Sequence, residues 1–277
     1  MITFINLGHY GQLGNQLFQY ATLRAVSEAQ GYELRVPMRL DAPKKSGKFE
    51  LEPLSLACKP LADEDERLFK HRFVESTHAF DPGVFEIPDW TDLLGFFQTE
   101  KYFKHLRREL LREFSFRDPI ASYASRYIEA VRVRSDGAPL VAVHVRRGDY
   151  LLKGDRFRVL STAWYRSAMD MFTRSRPVFL FFSDDPGWCV ENFGGVQDPA
   201  SIRQRPSLLH VSTPDHWHDM AVMARCDHFI IANSSFSWWG AWLATAADKI
   251  VVAPKPWFGP KMGRDESDIV PEEWRRL

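Results

Sequence analysis

Five short apolar runs crowd the second half of the chain: PLVAVHV, PVFLFF, LLHVS, HFIIA and KIVVAP. Between them, helical stretches begin near Ala163, Pro186, Pro214 and Ser234. Strands that alternate with helices must return through crossovers, so the pattern predicts an α/β fold with a parallel sheet. The beginning of the chain follows the same rule. ITFINL (Ile2 to Leu7) predicts a strand, and a glycine-containing loop follows it. NQLFQYATLRAVSEAQG then predicts a helix with Leu17, Tyr20, Ala21 and Leu23 on its apolar side, ending at Gly31, and YELRVP predicts a second strand. The next hundred residues are less regular, with Pro43, Pro53, Pro60, Pro82 and Pro88 marking loops. At 277 residues the chain has room for one large α/β domain or two ordinary ones. The polar turn RSDGAP (Arg134 to Pro139) suggests a boundary, giving domains of residues 1–137 and 138–277.

Ligands of open parallel sheets bind beyond the carboxyl ends of the strands, and the polar chemistry of this chain gathers there. GHYGQLGNQ, HVRRGDY, SDDPGW and NSSFSWWG each follow a predicted strand, and four such ends point to one crevice. In VAVHVRRGDY an apolar strand runs into His144, Arg146, Arg147 and Asp149. Burying an unpaired charge costs several kcal/mol, so adjacent arginines there ask for an anion. A phosphate or pyrophosphate fits, with the Arg146 guanidinium in bidentate contact and serine hydroxyls and helix N-termini opposite. If the strand persists, Arg147 points to the opposite face and is read as structural.

Asn233, Ser234 and Ser235 stand between a strand and a helix, where they suit phosphate oxygens or simply cap the helix. GQLGNQ brings Gly11, Gly14 and Asn15 to a helix start. It suits an anion or an array of sugar hydroxyls, or a tight turn capped by Asn15. It is neither the dinucleotide fingerprint nor a Walker loop. Asp184 and Asp185 before Pro186 could hold a metal or exchange protons, or start a helix with Asp184 near its cap. Asp63, Glu64 and Asp65 complement a helix dipole rather than a metal, and His216 and His218 diverge on a helix. Trp238, Trp239 and Trp242 read as core.

Composition narrows the partners. Lysine plus arginine and aspartate plus glutamate both total 36, which argues against a whole-surface nucleic-acid binder. Cys58, Cys189 and Cys226 are few, odd in number and widely spaced, which predicts a reducing compartment and no structural zinc. No leader and no spanning segment is evident, so a soluble, cytoplasmic protein is expected. KYFKHLRRELLREFSFR (Lys101 to Arg117) carries Phe103, Leu106, Leu110, Leu111 and Phe114 at helical spacing with a basic opposite side. A core-facing helix is the ordinary reading, and peripheral contact with a membrane surface is the other.

Four blocks together, GQLGNQLFQYA, HVRRGDY, FSDDP and DMAVMARCDHFIIANSSFSWWGAWL, resemble the ordered motifs of the bacterial α-1,2-fucosyltransferases, glycosyltransferase family 11. They span residues 8–243, most of the chain. The resemblance extends to a superfamily with α-1,6- and protein O-fucosyltransferases. It implies a GT-B fold of two Rossmann-like domains facing a central cleft, GDP-fucose as donor substrate, and neither a cofactor nor an obligatory metal. By the same resemblance, Arg146 would contact the β-phosphate and His144 the guanosine. Asp219 would accept the guanine N1 and N2 protons, and Ser234, Ser235 and Phe236 would hold the pyrophosphate. Gly14, Asp184 and Asn233 join them as donor-side candidates. Arg146, Asn15 and Asp149 are the catalytic candidates, although no general base is evident. The implied reaction is an inverting transfer of fucose to the 2-hydroxyl of a terminal β-galactoside, on a surface polysaccharide or a lipid-linked oligosaccharide. The alternatives are a different fucosyl linkage, or nucleotide binding without catalysis. Acceptor choice is expected to lie in residues 40–134.

Overall fold

A computed structural model of the protein describes residues 1–43, 47–198, 201 and 207–277. They divide into two compact units, Met1–Arg117 with Arg264–Pro271, and Asp118–Gly263 with Glu272–Leu277.

In the first unit β1 (Ile2–Thr3) leads to α1 (Leu13–Gln30), then to β2 (Arg35–Val36), β3 (Lys59–Pro60), β4 (His71–Val74), β5 (Thr91–Leu94) and α2 (Arg107–Glu113). The strands are parallel, in the order β1-β5-β4, with β2 and β3 paired separately and Leu34 bridging to Ile2. Helix α1 ends at Gly31, as its sequence predicts. The first strand is shorter than ITFINL suggests. Asp92 takes the Ile5 N–H at 2.8 Å and the Phe4 carbonyl takes the Leu7 N–H at 2.9 Å, so the chain turns away after Thr3.

The 101–117 segment also differs from one continuous helix. Two 3₁₀ turns, Glu100–Tyr102 and Lys104–Leu106, precede α2. Tyr102 and Phe103 are adjacent and both fully buried. Neighbouring residues diverge by about 100° on a helix, so a break at Phe103 lets both reach the core. Leu106, Leu110 and Phe114 are buried as the spacing predicts, while Lys101, Lys104, Arg108 and Arg112 stay exposed.

The second unit contains α3 (Ile120–Arg134), β6 (Leu140–Val145), α4 (Gly148–Leu151), α5 (Thr162–Asp170), β7 (Val178–Ser183), α6 (Pro186–Phe193), β8 (Ser207–His210), α7 (His216–Met223), β9 (His228–Ile230), α8 (Ser235–Leu243), β10 (Val251–Ala253) and β11 (Arg275–Arg276). All five strands predicted from the second half are present, and α5 to α8 start within two residues of their predicted positions. The sheet is parallel throughout, ordered β11-β10-β9-β6-β7-β8. Read from β8, this is the doubly wound order 3-2-1-4-5-6, whose strand order reverses between β6 and β9.

Val141, Val143 and Val145 of β6 pack with Tyr165, Phe172, Phe179, Phe181 and Ile230 in a core where each is no more than 4% exposed. Burying such a side chain contributes about 1.5–3 kcal/mol. Trp238, Trp239 and Trp242 are buried too, with the rings of Trp238 and Trp242 stacked 6.2 Å apart.

The division falls at Arg117–Asp118 and not at 137. Helix α3 packs on α7, and Arg132 grips Asp227 at 2.7 and 3.1 Å while Asp227 accepts the Leu140 N–H at 2.8 Å. These contacts fasten α3 to the start of β6, although the turn RSDGAP separates them in sequence.

Candidate active site

The alternation of β6 sorts its residues between the two faces of the sheet. His144 faces α8. Its Nδ1 lies 2.9 Å from Ser237 Oγ, its ring 5.5 Å from Phe236, and its carbonyl accepts the Tyr165 hydroxyl at 3.1 Å. Burial, helped by the charge of Arg146, pushes the imidazole pKa down to about 3, so His144 is neutral at physiological pH.

Past the end of β6, Arg146 is held between two carboxylates. One terminal nitrogen meets Asp149 Oδ1 at 2.6 Å and the other meets Asp184 Oδ2 at 3.1 Å. About a third of the side chain, 31%, remains exposed, so the fork is fixed in place and still open to a ligand. Burial would raise the Asp149 pKa, but Arg146 and Lys153 outweigh it and hold the carboxyl below the usual aspartate value. Asp149 is therefore an anion that orients Arg146, and a weak base. Asp184 also accepts the Arg147 N–H at 2.9 Å. A Cβ on residue 148 would stand 2.5 Å from Asp184 Oδ2, so the approach requires Gly148.

Arg147 points elsewhere, although the strand stops at Val145 and its direction is set by its own partners. Its Nε meets Asp185 Oδ2 at 3.1 Å and its guanidinium lies 3.9 Å over the Trp188 ring. The cap of α6 is Asp185, which accepts the Trp188 N–H at 3.2 Å, and not Asp184. Two adjacent aspartates thus have separate duties, one on Arg146 and one on α6.

Beyond β9, Asn233 is 3% exposed and its amide donates to the Trp257 carbonyl at 2.9 Å. Ser234 caps α8, accepting the Phe236 N–H at 3.3 Å. The Asn233 amide nitrogen and the Ser234 hydroxyl are thus engaged within the unit, while Asn233 Oδ1 is buried with no hydrogen-bond partner among the described residues. Ser235 and Phe236 are half-buried, and the Ser235 hydroxyl makes no hydrogen bond among the described residues. Tyr150 ties the two strand ends together, its hydroxyl donating to the Asn233 carbonyl at 2.8 Å. Sequence reasoning passed over Tyr150 and Ser237, although Tyr150 ends HVRRGDY itself.

Asp219 lies in the first turn of α7, whose cap is Asp215. The Thr213 hydroxyl donates to it at 2.8 Å, and burial raises its pKa. Among the described residues no hydrogen bond joins it to the Arg146 group. No three His, Cys, Asp or Glu side chains gather as a metal site among the described residues.

Gly14 and Asn15 belong to the first unit. Asn15 is inside the first turn of α1, two residues past its start, and so is not the cap; Gln12 holds that position. The Asn15 amide donates to the Tyr10 carbonyl at 3.3 Å, and its Oδ1 accepts the Gln98 amide at 2.8 Å. Gly11 has φ 126°, and a Cβ there would collide with the Asn15 side chain. The positive end of α1 already faces a carboxylate, since Glu50, 2% exposed, accepts the Leu13 N–H at 3.3 Å. A second anion would be repelled there, so of the two ligands that GQLGNQ admits, neutral hydroxyls fit better.

Residues 4–277 match the model of glycosyl transferase family 11. The α-1,2-colitosyltransferase of Escherichia coli is 30% identical over 96% of both chains. The human galactoside α-(1,2)-fucosyltransferase 1 is 31% identical over 84% of this chain, which spans 64% of that enzyme's length. Among solved structures, the α-1,6-fucosyltransferase NodZ, known from Bradyrhizobium and co-crystallised with GDP, superposes with a TM-score of 0.55 at 15% identity. That alignment covers 88% of this chain and 92% of NodZ, and supports the α/β fold with parallel sheets. With a family match over nearly its whole length, the chain belongs to glycosyltransferase family 11.

Proposed function

We propose that the chain moves fucose from GDP-β-L-fucose to the 2-hydroxyl of a terminal β-galactoside, with inversion at the anomeric carbon. The observation that carries this reading is the placement of Arg146 where the strand order reverses, between β6 and β9, fixed by Asp149 and Asp184. The two units are then the halves of a GT-B enzyme, the second of them the donor half.

In the reaction the acceptor oxygen attacks C1 as the bond from C1 to the β-phosphate oxygen breaks. The electron pair leaves with GDP and the hydroxyl proton is released. Negative charge grows on the departing diphosphate, so a fixed guanidinium stabilises the transition state more than the ground state. Ser235 and the N-terminus of α8 add hydrogen-bond donors toward the same anion. Neutral His144 orders this wall by holding Ser237, and a half-buried carboxylate at Asp219 suits the guanine edge. Fixed cationic and dipolar groups make an obligatory divalent ion unnecessary in this proposal.

The test is a donor and acceptor panel: GDP-fucose with lactose, N-acetyllactosamine and Galβ1,3 disaccharides, run with chelator and followed by linkage analysis of the product. An α-1,2 product formed in chelator is expected. An α-1,6 product would overturn the linkage, and loss of activity in chelator would overturn metal independence. The colitosyltransferase relative favours a second donor reading, so a colitosyl donor belongs in the same panel. No helix among the described residues is long and apolar enough to cross a membrane, and action in the cytoplasm, at the inner membrane face, is part of the proposal.

A further inference from the structure

Phe97 is fully buried yet has φ 54°, in the left-handed region that costs a bulky residue about 1–3 kcal/mol. The surroundings impose this conformation. Both N–H groups of the turn, on Phe96 and Phe97, donate to the Glu75 carboxylate at 2.7 and 2.8 Å. Residue 95 is glycine, and a Cβ there would strike the Glu75 side chain. A carboxylate spent wholly on the backbone turns Phe96 outward, half-exposed, and sets Gln98 against Asn15.

Around Phe96 stand Tyr10, 45% exposed with its ring edge-on at 6.5 Å, His78 at 6.1 Å, and the Arg264 guanidinium at 5.2 Å. Burial and the charge of Arg264 push the His78 pKa down to about 4, so the imidazole is neutral. An aromatic ring beside two linked amides, with the nearby Glu75 carboxylate engaged by backbone N–H groups, matches the surface of a neutral sugar. Its C–H face packs on an aromatic ring and its hydroxyls pair with amides.

We infer that Tyr10, Asn15, Phe96 and Gln98 form a subsite for a neutral pyranose of the acceptor, with Phe96 as its platform and Glu75 as the group that holds the platform in place. The assignment of this sugar to the acceptor rests on the proposed transfer reaction.

Saturation-transfer NMR with methyl β-galactoside, without nucleotide, tests it. The wild-type protein should bind, Phe96→Ala should weaken binding about tenfold or more, and Phe96→Tyr should restore it. Phe96 is outside the core, and a melting curve of Phe96→Ala that matches wild type checks the fold. Equal affinity in wild type and Phe96→Ala, or no binding by wild type, would overturn the subsite. Separate measurement of GDP release from GDP-fucose keeps the two ideas apart. Galactoside binding that depends on Phe96 without GDP release leaves the subsite standing and removes the transfer reaction. GDP release with an acceptor KM indifferent to Phe96→Ala does the reverse.

Discussion

The Arg146 group and the Asn15 group are built from opposite materials. Around Arg146 a cation is clamped by two carboxylates at 2.6 and 3.1 Å and flanked by a neutral histidine. Around Asn15 two amides hold each other at 2.8 Å, and the nearby carboxylate at the helix end, Glu50, is buried. The first arrangement keeps about a third of a charged guanidinium open to solvent, while the second presents neutral amides. The difference teaches that a chain with equal numbers of acidic and basic residues can still set a partly open cation in one unit and a pair of neutral amides in the other.

If that contrast is functional, Arg146→Ala should have the largest effect, lowering kcat by roughly 10² to 10³ as expected for a charge-stabilising donor. Steady-state kinetics with saturating GDP-fucose would check this, and a rate within a few-fold of wild type would break the contrast. Arg146→Lys should recover little, because one ammonium cannot serve Asp149, Asp184 and a phosphate in the same geometry.

Next comes pH. The folded His144 has its pKa depressed to about 3, so it resists the protonation that the unfolded chain accepts below about 6.5. Its contribution is fully present above pH 6.5 and is lost as pH falls toward 3, at about 1.4 kcal/mol per pH unit. Denaturant midpoints of wild type and His144→Asn at pH 7, 5.5 and 4.5 should show the wild type losing stability faster. Parallel slopes would mean that His144 is not held neutral.

Gly11→Ala should cost about 1–3 kcal/mol, because it forces a Cβ against Asn15 at a positive φ. Calorimetric binding of GDP should nonetheless be unchanged, which separates the two regions directly. Asp184→Asn should have the smallest effect, roughly tenfold on turnover, by removing one of two charged partners from Arg146. A drop as large as that of Arg146→Ala would mean that Asp184 itself touches substrate.

The legible parts of the molecule were those governed by near neighbours in sequence. The strands from β6 to β10 and the helix starts after them follow from periodicity, whereas Arg146 and Arg147 lie past the end of β6 and take their separate directions from Asp149, Asp184 and Asp185. Features set by distant partners were hidden. Nothing in ITFINL announces that Asp92 will take the Ile5 N–H, and nothing in GQLGNQ announces Glu50. RSDGAP looks like a boundary until Arg132 and Asp227 join across it. The duties of Asp184 and Asp185 could not be divided without the position of Arg146. The left-handed Phe97 gave no local signal, because glycine is the residue ordinarily expected there.

Glu50 has a consequence for how the protein should respond to ionic strength. By neutralising the α1 terminus from within, it leaves that helix end with no outward field for salt to screen, whereas the partly exposed Arg146 guanidinium presents one to an anion beside it. Raising salt from low to physiological levels should therefore loosen a nucleotide at the second unit and leave a sugar at the first untouched. The two substrates of a single reaction would then experience the same solution differently.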